Sequence, residues 1–150
     1  MAQTLVSLLV HVIFSTKDRV DLITPEIEPE LFAYMGGILH NHKSRLLAAN
    51  GTENHVHLLI SQGKTMALSD LLLNVKKDSS KWVKTEGRKF GDFHWQDGYG
   101  AFSIGQSQVT TVTNYIARQK EKHRRMRFED EFIGFLEKYQ VPYDERYIWD

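Results

Sequence analysis

The stretch that decides the fold covers residues 45–61 and reads RLLAANGTENHVHLLIS. Two runs of apolar residues flank the pair Asn50-Gly51, which is a strong signal for a tight hairpin turn. The sequence therefore predicts a short strand over residues 45–49, paired antiparallel with a second strand at about residues 53–61.

Two histidines alternate with apolar residues in the second of these strands. Residues two apart in a β-strand point to the same face, so His55, His57 and Leu59 share one face and Val56 points away from them. Two imidazoles on one face can supply two ligands of a metal site. A polar surface pair is the common alternative for this spacing, so a metal site needs further ligands from elsewhere in the chain.

Composition limits the classes of protein and of site. The chain has 150 residues, enough for a single domain over residues 1–150 with a substantial core, and its 25% of charged residues is ordinary for a soluble protein. The absence of cysteine excludes disulfides, thiolate metal sites and cysteine nucleophiles. No apolar run reaches the roughly 18 residues of a membrane span, and we expect a cytoplasmic protein. The formal net charge is zero, so nucleic-acid binding must depend on local patches.

The order of the remaining elements predicts the fold class. An apolar run rich in β-branched residues indicates a first strand, and apolar residues three or four apart indicate helices. The predicted elements outside the hairpin are a strand over 5–14, helices over 25–42, 68–85, 106–123 and 128–139, and a strand within 90–104. This order is the split βαβ pattern of an α+β, ferredoxin-like (RRM-like) antiparallel sheet with helices on one face and two additional C-terminal helices. The histidine strand should lie beside the first strand, and the second face of the sheet should be free for a site.

Tyr115 and Gln119 lie four residues apart in the third predicted helix and therefore share one of its faces. A tyrosine phenol is a competent nucleophile when its target is polarised and its proton is accepted. A glutamine carbonyl is a metal ligand, and together with two imidazoles it would leave positions on a divalent cation open to phosphate oxygens. This combination is typical of phosphoryl transfer, although a half-buried helix aromatic is the alternative interpretation of Tyr115.

Four runs of the sequence together resemble one family. The runs are residues 4–16, NHVHLLI, WQDGYGAFSIG and TNYIARQKEKH, and they occur in family order and at family spacing. They resemble the small single-tyrosine HUH transposases of the insertion-sequence-200/605 type, which include the REP-associated transposases. By this resemblance His55 and His57 are the two histidines of the HUH motif, Tyr115 is the nucleophile and Gln119 completes the metal site.

The resemblance also implies an activity. Members of this family cut single-stranded DNA at hairpin-marked element ends with Mg²⁺ or Mn²⁺, form a covalent 5′-phosphotyrosine and leave a free 3′-hydroxyl. A second transesterification rejoins the ends without a nucleotide cofactor. Many members are homodimers in which the tyrosine helix completes the site of the partner subunit. Because no apolar run is long enough to span a membrane, we also expect no membrane partner.

Basic residues near the proposed nucleophile are expected to contact DNA, which would make DNA affinity dependent on salt. Lys17 and Arg19 follow the first strand and belong to the same expectation. A solvated loop, or a helix end favoured by the helix dipole, is the alternative. The basic residues at and beyond the tyrosine helix are Arg118, Lys120, Lys122, His123, Arg124, Arg125 and Arg127.

Other residues have both a functional and a structural interpretation. Trp95, Tyr99 and Phe102 can stack on unpaired bases, but core packing is favoured for Trp95 and Phe102. His11 on the first strand is interpreted as a core histidine, with support of a metal ligand as the alternative. Four lysines of the second predicted helix face either a hairpin stem or solvent, and these are Lys76, Lys77, Lys81 and Lys84.

Two other functions remain open from the sequence. The chain could be a domesticated relative that binds hairpin DNA or RNA without strand transfer. It could also be a Zn²⁺ hydrolase that uses His55 and His57, although the sequence offers no acidic third ligand at short spacing.

Overall fold

The computed structural model describes residues 2–150 and contains a four-stranded antiparallel sheet with the strand order β2-β3-β1-β4. Two helices, α1 and α2, lie on one face of this sheet, and three shorter helices follow the last strand. This arrangement confirms the predicted α+β, ferredoxin-like fold with additional C-terminal helices. The elements are β1 Leu9–Ser15, α1 Glu28–Asn41, β2 Arg45–Thr52, β3 His55–Ser61, α2 Leu68–Lys84, β4 Gly100–Ile104, α3 Val109–Ala117, α4 Gln119–Lys122 and α5 Phe128–Lys138.

The hairpin forms as predicted, but its turn lies elsewhere. Strands β2 and β3 pair antiparallel, and Asn50 and Gly51 lie inside the ladder opposite His57 and Val56. The turn consists of the two residues after β2, at positions 53 and 54. A Cβ atom on Gly51 would lie 2.1 Å from the carbonyl oxygen of His55. Glycine is therefore needed here for the close approach of two strands and not for a turn conformation.

Strand β1 is one of the two inner strands, beside β3, and is buried on both faces. It pairs with β3, as predicted, and with β4. Val12 faces the core beneath α1 and α2, whereas His11 lies on the opposite face with the imidazole of His57. The predicted start of this strand at residue 5 is wrong, because β1 begins at Leu9 and the side chain of Leu5 is 83% exposed.

The second face of the sheet, expected to be free for a site, is instead covered by α3 and α5. Ile116 of α3 packs on Leu59 of the sheet. Phe128 and Phe132 of α5 pack in a second cluster with Phe102 of β4, which confirms core packing for Phe102. Burial of these apolar side chains favours the covered arrangement, so any site on this face lies between the sheet and the C-terminal helices.

The third helix, predicted to run continuously over residues 106–123, is interrupted. Helix α3 ends before Arg118, whose dihedral angles of φ −98° and ψ 14° leave the helical region, and α4 begins at the next residue. The side-chain amide of Asn50 donates hydrogen bonds to the carbonyls of Ile116 and Ala117, at 3.0 and 3.1 Å. These carbonyls at the helix end therefore gain a partner from β2, which stabilises the interruption.

Candidate functional site

Glu131 of α5 occupies the centre of the candidate site. Its Oε1 atom lies 3.0 Å from Nε2 of His57 and 2.9 Å from Nε2 of His123. The carboxylate is almost completely buried although it belongs to a helix near the C-terminus. Packing of Phe128 and Phe132 against the sheet positions this turn of α5 above β3.

The four residues proposed from the sequence converge on this carboxylate. Nε2 of His55 lies 3.0 Å from Oε1 of Gln119, and the amide nitrogen of Gln119 donates to Oε2 of Glu131 at 3.0 Å. The phenol of Tyr115 donates a short hydrogen bond to the same Oε2 atom. Although the helix is interrupted between Tyr115 and Gln119, both side chains still point to one group.

Burial and hydrogen bonds together determine the charge states of this cluster. Burial, followed by the nearby His57, lowers the pKa of His55 to about 3, and burial also lowers the pKa of His57. Burial alone would raise the pKa of the Glu131 carboxyl, but its contacts with His123, His57 and Tyr115 outweigh this and hold the pKa below its usual range. Neutral imidazoles and an ionised carboxylate are the forms that bind metal ions.

His11 of strand β1 supports this cluster. Its Nε2 atom lies 2.9 Å from Nδ1 of His57, and both side chains are buried. Burial, followed by the neighbouring His57, lowers the pKa of His11 to about 3, so this histidine is also neutral. The contact fixes the ring of His57 with its Nε2 atom directed at Glu131, which is how partners of metal-binding histidines act.

The donor set fits a divalent cation. One ligand atom from each of His55, His57, His123 and Glu131 can be chosen so that all four lie within 4.8 Å of one another. Three imidazole nitrogens and a carboxylate oxygen are common ligands of divalent ions in proteins. This group could therefore hold a divalent metal ion.

Tyr115 lies beside the histidine pair of its own chain. Its ring centroid is 5.9 Å from that of His57, and the Lys122 ammonium lies 5.0 Å from the tyrosine ring centroid. Burial and the hydrogen bond to the Glu131 carboxylate both raise the pKa of the phenol above its usual range. Tyr115 is therefore a protonated phenol at neutral pH with a hydrogen-bond acceptor in place.

Two open grooves flank the buried cluster, and the basic stretch is divided between them. Tyr115 lines a groove of about 960 Å³ together with Arg118, Lys122 and Arg125. Arg124 lines the other groove, of about 620 Å³, on the side of His123. Three residues of the basic stretch therefore adjoin the phenol, and the other four, Lys120, His123, Arg124 and Arg127, line the second groove.

The remaining basic candidates are more distant or already paired. Arg19 lies 3.9 Å from a carboxylate oxygen of Glu129, and its guanidinium lies 4.9 Å from the ring centroid of Trp149, so this side chain connects the loop after β1 to α5 and the C-terminal segment. Lys17 is exposed in the same loop. Lys120 donates to Glu28, at 2.6 Å, and thereby connects α4 to α1.

The lysines of α2 line a third groove, of about 410 Å³, on the other side of the sheet. Lys76 donates hydrogen bonds to the carbonyls of Asp97 and Gly98, both at 2.9 Å, and burial lowers its pKa to about 8. Trp95 at this groove is buried and donates to the hydroxyl of Ser79 at 3.0 Å. The favoured core role of Trp95 is thus confirmed.

Comparison with known proteins identifies the family. The family model described as "Transposase IS200 like" matches residues 4–119, well over half of the chain. The chain belongs to the IS200-like transposase family. This membership confirms the resemblance found in the sequence.

Two solved structures resemble this IS200-like transposase chain in fold. The first is the crystal structure of a protein from Deinococcus radiodurans R1 that is provisionally described as a transposase. It is 19% identical in sequence and has a TM-score of 0.62, and the match covers 79% of this chain and 95% of that chain. The REP-associated tyrosine transposase bound to a REP hairpin is 12% identical, with a TM-score of 0.59 over 82% of this chain and 73% of that one. None of the curated proteins matches the chain.

Two residues of the buried cluster, Glu131 and His123, are not predicted as site residues by the sequence of this IS200-like transposase chain. Glu131 lies in the acidic first turn of α5, and His123 lies in the basic stretch that follows the tyrosine helix. Both lie beyond Gln119, where the match to the family model ends. Glu131 is a buried acidic residue in the helix after the tyrosine, but three acidic residues in succession at 129–131 give no means of choosing among them from the sequence.

Proposed function

We propose that the chain cleaves and rejoins single-stranded DNA by phosphoryl transfer through Tyr115, at element ends marked by hairpins. The observation that supports this most directly is that the Tyr115 phenol and a buried histidine pair share one carboxylate, that of Glu131. A similar fold, that of the REP-associated tyrosine transposase, has been solved with a REP hairpin bound, which supports hairpin DNA as the substrate class.

The histidine pair would hold Mg²⁺ or Mn²⁺ with Gln119, whose carbonyl faces His55. When bound there, the cation would draw charge from the non-bridging oxygens of the scissile phosphate. His11 would hold the ring of His57 in place, and Asn50 would hold the end of α3 that carries Tyr115. These contacts fix the positions of the reacting groups before DNA binds, which lowers the entropic cost of reaching the transition state.

Proton transfer follows from the contact between Tyr115 and Glu131. The raised pKa of the phenol means that Tyr115 must lose its proton as it attacks, and Oε2 of Glu131 is positioned to accept it. The phenolic oxygen then bonds to phosphorus, the bond to the 3′-oxygen breaks, and that oxygen takes up a proton to become a 3′-hydroxyl. The 5′-phosphotyrosine retains the energy of the phosphodiester, so attack by another 3′-hydroxyl reverses the step and rejoins DNA.

The DNA strand would approach along the groove that Tyr115 shares with Arg118, Lys122 and Arg125. Cationic side chains on this groove would neutralise backbone phosphates next to the scissile bond. Because the tyrosine and the histidines adjoin each other within one chain, a homodimer would serve to bring two DNA ends together and would not be needed to complete the site.

Replacement of Tyr115 by phenylalanine tests the proposal. Tyr115→Phe should abolish the covalent protein–DNA adduct, because the nucleophilic oxygen is lost, while hairpin binding is retained. The measurement uses a labelled hairpin oligonucleotide with a single-stranded flank, Mn²⁺ and a denaturing gel. Tyr34→Phe, on the exposed side of α1, is the matched control and should form the adduct at the wild-type rate. An adduct of undiminished yield with Tyr115→Phe would refute the assignment.

A second candidate function is hairpin binding without cleavage, as in a domesticated relative that holds hairpin DNA or RNA. The observation that favours it is the complete burial of His55 and His57. For DNA cleavage, α5 would have to shift before a phosphate could reach these histidines, whereas binding alone requires no such movement. This candidate predicts a retarded hairpin band in a native gel and no cleaved strand with Mg²⁺, Mn²⁺ or Zn²⁺.

A further inference from the structure

We infer that the metal centre is rich in nitrogen, with His123 and Glu131 as ligands beside His55 and His57, and that it takes a first-row transition-metal ion in preference to Mg²⁺. This inference rests on the metal centre of the proposed function and names the class of ion that the centre binds. The family resemblance implies Mg²⁺ or Mn²⁺, and the inference agrees with Mn²⁺ but not with Mg²⁺.

The distances within the cluster match those between ligands of a single ion. Oε1 of Glu131 lies 2.9 Å from Nε2 of His123, 3.0 Å from Nε2 of His57 and 3.8 Å from Nε2 of His55. With metal–ligand bonds of about 2.1 Å, adjacent ligand atoms lie roughly 3.0–3.4 Å apart and opposite ones roughly 4.2 Å apart. Small movements of side chains therefore suffice to place these four atoms around one ion.

The far nitrogen of each imidazole is already engaged, which leaves its Nε2 atom directed at the common point. Nδ1 of His123 donates to the carbonyl of Met126 at 2.8 Å. Nδ1 of His57 lies 2.9 Å from His11, and Nδ1 of His55 lies 2.9 Å from the side-chain oxygens of both Thr52 and Asn54. Such partners are typical of metal-binding histidines because they fix both the tautomer and the orientation of the ring.

His123 extends the cluster of possible ligands beyond the residues predicted from the sequence. Its Nδ1–H donates to the carbonyl of Met126, so the ring directs Nε2 at the Glu131 carboxylate oxygen, 2.9 Å away. A metal ion bound between these two atoms would be shared with His55 and His57, whose Nε2 atoms lie 3.8 and 3.0 Å from the same oxygen.

The chemistry of the donor set determines the class of ion. Mg²⁺ binds oxygen ligands, requires a nearly octahedral geometry and usually keeps several water molecules. This centre offers three nitrogens, a carboxylate and the amide oxygen of Gln119, and two of its histidines are fully buried, which leaves little room for water. Imidazole favours ions such as Zn²⁺, Fe²⁺ and Ni²⁺, and affinity for such sites rises from Mn²⁺ to Co²⁺ and Ni²⁺.

Direct metal binding to the full-length, metal-free protein tests this inference. By titration calorimetry, Co²⁺ should bind at least about 100-fold more tightly than Mg²⁺. His123→Gln and Glu131→Gln should each weaken Co²⁺ binding at least about tenfold and change the visible spectrum of the bound Co²⁺. His94→Gln is the matched control, because this exposed histidine lies at the α2 groove, and its Co²⁺ affinity should equal that of the wild type.

Three results would overturn the inference. These are Mg²⁺ affinity within tenfold of Co²⁺ affinity, Co²⁺ affinity of His123→Gln within twofold of wild type, and an unchanged Co²⁺ spectrum in that variant. If Glu131→Gln does not fold, as judged by thermal melting, His123→Gln decides the matter alone, because His123 lies at the edge of the cluster.

The proposed function can fail separately from this inference. Tyr115→Phe should bind Co²⁺ as the wild type does, since the phenol is not a ligand. Adduct formation with Mg²⁺, together with normal Co²⁺ binding by His123→Gln, would sustain the function and overturn the inference. If Co²⁺ binding depends on His123 but no metal ion supports formation of the protein–DNA adduct, the inference is sustained and the proposed function is overturned.

Discussion

Three histidines on the second face of the sheet, His11, His55 and His57, are held in the neutral form by burial. Neutrality lets His55 and His57 offer lone pairs to a cation and lets His11 exchange a hydrogen bond with His57. The same burial makes the folded state sensitive to acid, because these rings cannot take up protons without losing their contacts.

The free energy of unfolding should fall as the pH is lowered from 6.5. Below this value, the ordinary pKa of histidine, the unfolded chain takes up protons, whereas in the folded chain the pKa of His11 and of His55 is about 3. Between pH 6.5 and about pH 3 the unfolded state binds more protons than the folded state. Each histidine should therefore lower the free energy of unfolding by roughly 1 kcal/mol for each unit by which the pH falls. Urea unfolding from pH 7 to pH 4.5, with EDTA present, measures this slope. His11→Gln keeps a hydrogen-bonding group and should reduce the slope by about one histidine's share; equal slopes would contradict the prediction.

Helix α5 determines whether the site exists, because it carries Glu131. The helix can approach the sheet closely because β4 has a glycine at the point of contact. A Cβ atom on Gly100 would lie 2.6 Å from Cε1 of Phe132, the residue that follows Glu131. The absence of one side chain on β4 therefore controls the height of the carboxylate above β3.

Gly100→Ala should destabilise the protein by about 1–3 kcal/mol, because Phe132 must move in a packed cluster. It should also weaken Co²⁺ binding, because the same movement displaces Glu131. Gly134→Ala, on the exposed side of α5 with no atom within 4 Å of its Cβ position, is the matched control and should stabilise the protein by up to about 1 kcal/mol. Urea unfolding and calorimetry provide the two measurements. Equal stability of the two variants would show that the contact does not position α5.

Across the whole molecule, 19 basic residues balance 19 acidic ones, so the net charge does not favour binding of nucleic acid. The fold concentrates positive charge locally, since Arg118, Lys122 and Arg125 line the groove that Tyr115 opens onto. Within residues 2–150 no helix is both long and apolar enough to cross a membrane.

Arg118→Ala and Arg125→Ala should each weaken binding of single-stranded DNA and reduce its dependence on salt. For each phosphate contact that is lost, the slope of log K against log salt should become shallower by about 0.7. Arg45→Ala, at an exposed position on the edge strand β2, is the control and should leave the slope unchanged. Fluorescence anisotropy with an unstructured oligonucleotide measures both quantities. If the Arg45 variant changed the slope as much as the others, the groove would not be the binding surface.

The sequence by itself determined the order of the elements, the shared face of His55 and His57, and the pairing of Tyr115 with Gln119. Each of these depends on local periodicity, which is two residues in a strand and about 3.6 in a helix. The turn after β2 was misplaced for a related reason, since Gly51 serves a close contact between strands that residue type alone does not distinguish from a turn.

Only the tertiary structure decided that Glu131 and His123 join the site and that the second face of the sheet is covered. His57 and Glu131 are 74 residues apart in the chain, and no spacing rule connects them. Their contact arises from the packing of Phe128 and Phe132 against the sheet. Of the three acidic residues at 129–131, this packing buries only Glu131 between α5 and the sheet. Local spacing fixes which side chains share a face, whereas burial of apolar surface over long separations fixes which faces meet.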